Sequence, residues 1–176
     1  MKLYRTQFDT PLGRMRAVAS DEGVIVCDFD NRRDFDGRLA RLNDAVDRPN
    51  THLITLEREM SEYFAGTRKV FTVPLRPEGS DFDRKAWDYL LTIPFGETRS
   101  YGQQAKAIAT MEAVRAVGRA NGQNFIAIVI PCHRVIAANG DLTGYGGGID
   151  RKRWLLEHES GGLFSQRELA ADSMTA

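Results

Sequence analysis

Cys132 stands between Pro131 and His133, with Arg134 next, and this run puts a thiol beside an imidazole. A free cysteine has a pKa of about 8.5, so a reactive one needs a base or a positive field nearby. The residues before it, Phe125, Ile126, Ile128, Val129 and Ile130, read as a buried strand. Pro131 would end that strand, because proline fixes φ and removes a ladder donor. Neighbouring side chains on an extended segment point to opposite faces. His133 therefore serves Cys132 only through a kinked backbone or a water-relayed proton, and the relay is the expectation. An imidazole acting as base also needs a carboxylate to orient it, which Glu157 or Glu159 could supply.

Composition excludes several other chemistries. The two cysteines, Cys27 and Cys132, imply no disulfide framework, and with three histidines they show no zinc-ligand spacing, so no metal is expected. A chain of 176 residues with 42% hydrophobic content can bury a real core. No apolar run approaches membrane-spanning length, and Met1 leads directly into Lys2-Leu3-Tyr4-Arg5 with no signal-peptide pattern. The expectation is a soluble, cytoplasmic protein with no membrane partner. Zero net charge argues against a general nucleic-acid binder, yet residues 99–134 hold five basic side chains against Glu112 alone, a local balance of +4. An unevenly charged solvated surface explains that equally well.

The elements that must carry the cysteine fall into two units. Strand-like runs at 2–8 and 13–20 flank the turn Asp9-Thr10-Pro11-Leu12-Gly13, and 24–29 reads as a half-buried strand with Cys27 as a packed core thiol. Helices are expected over 33–42 and 53–64, the latter ended by Gly66. The fold class is α+β: a small N-terminal sheet-and-helix domain over 1–80, then a mainly helical C-terminal domain over 81–160 with a winged helix-turn-helix. A frayed tail is expected over 161–176. In the second unit a helix near 82–91 stops at Pro94-Phe95-Gly96. Ser100-x-x-Gln103 forms a capping box opening a helix through 109, and Thr110 caps another over 111–121, a spacing that suggests helix-turn-helix geometry. On that helix Ala113, Ala116, Val117 and Ala120 make a narrow packing stripe, while Arg115, Gly118, Arg119 and Gly122 share another face. The simpler reading of that face is arginines displayed to water; the functional one is a slim helix lying against a nucleic-acid backbone. Gly144-Tyr145-Gly146-Gly147-Gly148 forms a loop that admits close backbone approach but lacks the Gly-Lys-Ser/Thr of a phosphate loop, and Asp150 caps a last helix over 151–159.

In combination these residues resemble the O6-alkylguanine-DNA alkyltransferases, also called methylated-DNA-protein-cysteine S-methyltransferases. The carriers are Ile130-Pro131-Cys132-His133-Arg134-Val135, Arg115-Ala116-Val117-Gly118, Asn121-Gly122-x-Asn124, Ile93-Pro94-Phe95-Gly96 with Ser100-Tyr101, Gly144-Tyr145-x-Gly147-Gly148 and Trp154-Leu155-Leu156-x-His158-Glu159. The strong match spans 81–159, and the N-terminal half matches more loosely through Thr10-Pro11-Leu12-Gly13 and Tyr63-Phe64-x-Gly66.

The resemblance implies direct, stoichiometric repair of double-stranded DNA without a cofactor, by a protein acting as a monomer. A flipped alkylguanine enters a pocket and Cys132 takes its alkyl group, with O4-alkylthymine as a second candidate substrate and cooperative binding along DNA left open. It implies that His133 is the water-linked base, Glu159 its orienting carboxylate, and Tyr101 the hydrogen-bond or proton donor to the departing guanine. Asn124 would brace the site, and Arg115 would fill the gap in the base stack, on the helix face that also carries Gly118. Val135, Tyr145 and Gly146 would line the base pocket.

Physical chemistry supports those roles. An alkyl–oxygen bond to guanine breaks readily only if the leaving base gains a proton or strong hydrogen bonds. Base extrusion costs a few kcal/mol, part of which a stacked guanidinium recovers. Arg134 reads as an ion-pairing residue, and His52 and His158 as packing or surface histidines. Arg119 stands where the family usually carries a small residue, and Phe125 where proline is common. Two other functions compete: a lesion sensor on the same scaffold, which would lack the cysteine, and a Cys-His thiol hydrolase, which would turn over through an acyl intermediate.

Overall fold

Strands β1 (Leu3–Thr10), β2 (Gly13–Ser20) and β3 (Val24–Phe29) form an antiparallel sheet in the order β1-β2-β3. The structure is a computed structural model that describes residues 1–161, so the expected tail lies outside the described residues from 162 onward. Thr10 opposite Gly13 closes the first hairpin, with Gly13 at φ 123, a region that favours glycine.

All six residues of β3 are buried, where a half-buried strand was expected. The sheet is covered on both faces. Helix α2 (Thr51–Phe64) lays Leu53, Leu56 and Met60 with Met15, Cys27 and Phe29, while α1 (Phe35–Ala40) brings Phe35 to Val18, Ile25 and Val26. A register shift at Val18/Ala19 leaves Ile25 as the extra residue and puts the adjacent Ile25 and Val26 in the same layer as Phe35. Cys27 is fully buried and has its pKa pushed up by that burial and then by Asp28, as suits a core thiol.

The second half begins with α3 (Asp81–Leu90), opened by a Ser80–Asp83 capping box. The box expected at Ser100–Gln103 opens α4 (Tyr101–Ile108). The next helix differs from expectation. Residues 111–113 form a 3-10 turn, α5 spans Val114–Gly122, and Thr110 makes no side-chain cap. Val117 and Ala120 bury against Ala86, Ala105 and Ile108. Reciprocal amide bonds between Gln104 and Asn121, 2.9 and 2.7 Å, fix α4 against α5, and Trp87 Nε1 donates to Ala120 O at 2.9 Å. This is the helix-turn-helix. Its wing is reduced to the parallel pair β4 (Arg99–Ser100) and β5 (Val135–Ile136), followed by the loop over 137–148.

The last helix, α6 (Ile149–Ser160), starts after Gly148 rather than at Asp150, which lies in the first turn where its charge suits the positive helix end. Gly161, in the left-handed conformation, ends it. Among the described residues no helix is long and apolar enough to cross a membrane.

One core joins the halves. Met15, Phe29 and Leu53 pack in the same cluster as Trp87, Ile126, Ile130 and Leu155.

Candidate active site

The expected strand before Cys132 is a compact turn instead. Ile126 makes a single parallel bridge to Cys27, through Cys27 N to Phe125 O at 2.7 Å and Ala127 N to Cys27 O at 2.8 Å. The chain then turns at Ile128, whose φ is 72, and folds back so that Ile130 N reaches Ile126 O at 3.1 Å. Asn124 closes the turn from inside, its Nδ2 donating to Ile130 O at 2.8 Å and its Oδ1 accepting from Ile126 N at 2.9 Å. Apolar content alone does not distinguish such a buried turn from a strand. The rigid mount is therefore made by one amide side chain and the edge of the N-terminal sheet.

Cys132–Arg134 is a 3-10 turn, so the backbone at the thiol is kinked and not extended. His133 is fully buried and its Nε2 lies 2.7 Å from Glu159 Oε1. Of the two candidate carboxylates, Glu159 is the one in contact with His133, and Glu157 is exposed. Arg134 grips the same carboxylate with Nε to Oε2 at 2.8 Å and Nη2 to Oε1 at 3.0 Å, and Tyr63 Oη donates to Oε1 at 2.8 Å. Burial by itself would neutralise Glu159, but His133 and Arg134 hold its pKa well below the usual carboxylate range. Gly96, at φ 84, allows the turn after Ile93 to approach the end of α6, since a Cβ there would lie 3.1 Å from Glu159 O. His158 packs as expected, stacked on Trp154 with Nε2 2.7 Å from Tyr63 O.

Burial lowers the His133 pKa against the pull of Glu159, which leaves the ring neutral near pH 7 and able to take a proton. Its Nδ1 is buried without a hydrogen-bond partner among the described residues, as is Tyr145 Oη. The half-buried Cys132 thiol is raised by burial, while a hydrogen bond with Asn124 and the charges of Arg32 and Lys152 oppose that rise. At rest the pair is thiol plus imidazole.

Cys132 lies in a cavity of about 510 Å³ between α5 and the glycine loop. Tyr101, Gly118, Gly122, Thr143, Tyr145 and Gly146 are among its walls. Tyr101 Oη donates to Thr143 O at 2.9 Å, and burial followed by the Cys132 charge raises its pKa, so the phenol keeps its proton. Gly118 and Gly122 leave open space where a Cβ would stand. Arg115 and Arg119 are exposed on α5. Val135 does not line the cavity: it is fully buried, with its carbonyl taken by Lys152 Nζ at 2.7 Å.

Two charged residues near the thiol were missed in the sequence. Lys152 sits in the run Asp150-Arg151-Lys152-Arg153, which looks solvated, yet it is fully buried and also donates to Thr143 O at 3.1 Å. Its position was readable: Lys152, Leu155, Leu156 and Glu159 fall at i, i+3, i+4 and i+7, all on the buried face of α6. Arg32, after β3, carried no such signal. Among the described residues no cluster of three or more His, Cys, Asp or Glu side chains is placed to hold a metal ion.

Two family models match the chain. The ribonuclease-like domain of 6-O-methylguanine DNA methyltransferase matches residues 3–77, and the DNA binding domain of 6-O-methylguanine DNA methyltransferase matches residues 81–161. The methylated-DNA--protein-cysteine methyltransferase of Methanosarcina acetivorans is 41% identical over 157 residues, covering 89% of this chain and 98% of that protein. The crystal structure of Mycobacterium tuberculosis O6-methylguanine methyltransferase matches with a TM-score of 0.81 at 41% identity, over 90% of this chain and 93% of that one. That of Mycobacterium tuberculosis OGT in complex with DNA gives a TM-score of 0.76 at 40% identity, over 90% and 94%.

Proposed function

Because the chain belongs to the 6-O-methylguanine DNA methyltransferase family, we propose that Cys132 is the alkyl-accepting residue and that O6-alkylguanine in duplex DNA is the donor. Membership makes it a DNA-binding repair methyltransferase that moves an alkyl group from DNA to its own cysteine. The observation that carries the assignment is the position of the Cys132 thiol: it lies in the cavity, next along the chain to a neutral imidazole that is tied to a buried carboxylate.

The helix-turn-helix lies along the DNA, with Arg115 on α5 taking the place of the extruded base and Gly118 allowing close approach. The swung-out guanine enters beside Tyr101, Tyr145 and Gly146. The thiol proton passes through a solvent molecule to His133 Nδ1, and Glu159 stabilises the imidazolium that forms. Sulfur then attacks the alkyl carbon, the carbon–oxygen bond breaks, and its electron pair returns to guanine. Tyr101 donates to the departing base, and Asn124 keeps the turn beneath the sulfur in register. The product is a thioether with no activated leaving group, so each molecule acts once. Val135 contributes through its burial and the lysine on its carbonyl.

Intact mass after mixing with duplex DNA containing O6-methylguanine tests this. One methyl per molecule, localised to Cys132 and persistent, is expected. Cys132→Ala abolishes transfer and retains DNA binding. Release of the methyl with repeated turnover, or methylation elsewhere, refutes the assignment.

A further inference from the structure

Arg32 follows β3 in the N-terminal half, yet its side chain, 7% exposed, reaches into the half that holds the thiol. Nη1 donates to Asp28 Oδ2 and to the main-chain carbonyl of Asn124, and Nη2 donates to Gly122 O at 2.6 Å. The guanidinium lies 3.9 Å over the Phe125 ring, at the position where the chain departs from the common proline. A Cβ built on Gly146 would stand 2.6 Å from Arg32 Cζ, so the same group supports the glycine loop. One planar fork thus touches the end of α5, the Asn124 bend and the pocket loop, a task that a lysine ammonium cannot reproduce.

We propose that Arg32 is a positioning residue for alkyl transfer, its buried guanidinium locking Gly122, Asn124 and Gly146 around Cys132 and setting a fixed positive charge by the thiolate that Asp28 partly offsets. This rests on Cys132 being the alkyl acceptor. The charged and titratable groups facing that sulfur are Asp28 and Arg32 from the end of β3, Lys152 from α6, Tyr101 from α4, Tyr145 from the loop, and adjacent His133. Among them Arg32 and Lys152 favour the thiolate while Asp28 opposes it. Opposite signs within one buried pair separate electrostatic positioning from simple support. Loosened packing would move both variants of the pair the same way.

The test is the pH dependence of iodoacetamide labelling at Cys132, read by intact mass for the wild type, Arg32→Met, Arg32→Lys and Asp28→Asn. Cys27 is fully buried, so its labelling reports unfolding in each variant. Arg32→Met raises the thiol midpoint and slows labelling at neutral pH roughly tenfold. Asp28→Asn keeps an oxygen for Arg32, lowers the midpoint and speeds labelling roughly threefold. Arg32→Lys falls between wild type and Arg32→Met, and methyl transfer from O6-methylguanine DNA follows the same order. Midpoints that shift together or stay fixed, with Cys27 unlabelled, overturn the proposal. A wild type that takes no methyl from DNA refutes the acceptor assignment, and the labelling order still judges Arg32.

Discussion

Tyr63→Phe removes one hydrogen bond from the buried cluster behind the imidazole and almost nothing else. Tyr63 Oη donates to Glu159 Oε1 at 2.8 Å, and burial, then the Glu159 charge, keeps the phenol protonated at any working pH. A hydrogen bond to a charged group contributes about 1.5–3 kcal/mol. Phenylalanine keeps the ring against Phe64, Phe71, Phe95 and His158, so no large cavity forms. Oε1 also retains His133 Nε2 and Arg134 Nη2, so the carboxylate is not orphaned and the cost falls at the lower end, about 1.5–2 kcal/mol. For a chain of this length that lowers Tm by about 3–8 °C. Urea and thermal unfolding of both proteins measure it, with methyl transfer followed in parallel. Transfer stays within about threefold of wild type, because Tyr63 touches the carboxylate and not the reacting atoms. A stability loss under about 0.5 kcal/mol refutes the bond. An unchanged Tm with transfer slowed about tenfold refutes the division between support and chemistry.

Three further outcomes are expected. Glu59 is fully buried and accepts from Thr72 N and Val73 N at 2.9 and 3.2 Å, with Arg68 at 3.4 Å. Burial would raise its pKa, but the Thr72 and Val73 bonds and Arg68 hold it below the ordinary value. Its contribution is therefore complete above the unfolded pKa of about 4.3 and is lost as pH falls through the lower folded value. Urea titrations at successive acid pH should show a smaller acid-dependent loss in Glu59→Gln than in wild type. Lys152 has its pKa lowered by burial to about 8, so stability rises from there to the unfolded value of about 10.4, where only the unfolded chain still binds the proton. Lys152→Met removes that alkaline rise in the same measurement. Gly146→Ala drives a methyl to 2.6 Å from Arg32 Cζ, and transfer should slow about tenfold with DNA affinity within about threefold, as read by single-turnover kinetics and a binding isotherm.

The strands, the Ser100 cap and the helix-turn-helix were legible because each rests on local chemistry: a turn signal between two strand-like runs at the first hairpin, and a hydroxyl three residues before a glutamine. The cysteine and histidine were legible as neighbours, while the residues left the carboxylate open between Glu157 and Glu159 and only the family resemblance pointed to Glu159; the 2.7 Å His133–Glu159 contact links residues 26 apart in the chain. What stayed hidden was long-range. The run 125–130 has strand composition, but its hydrogen bonds go to Cys27 and back to itself, choices made by Asn124 and a sheet edge about a hundred residues away. Arg32 carried no signal in the sequence because its partners, Gly122 and Asn124, lie 90 and 92 residues on. Lys152 was masked by its charged neighbours, although its helical phase with Leu155 and Glu159 marked it as inward-facing.

Ile128 has a consequence for how the nucleophile's perch came to exist. A buried β-branched residue at φ 72 is a conformation costing about 1–3 kcal/mol, which an isolated peptide of this sequence would decline. The bend is thus an imposed shape, kept bent by tethers that belong to other parts of the molecule. Those tethers come from residues distant in the chain, so alkyl acceptance belongs to the assembled fold and not to the short signature that advertises it.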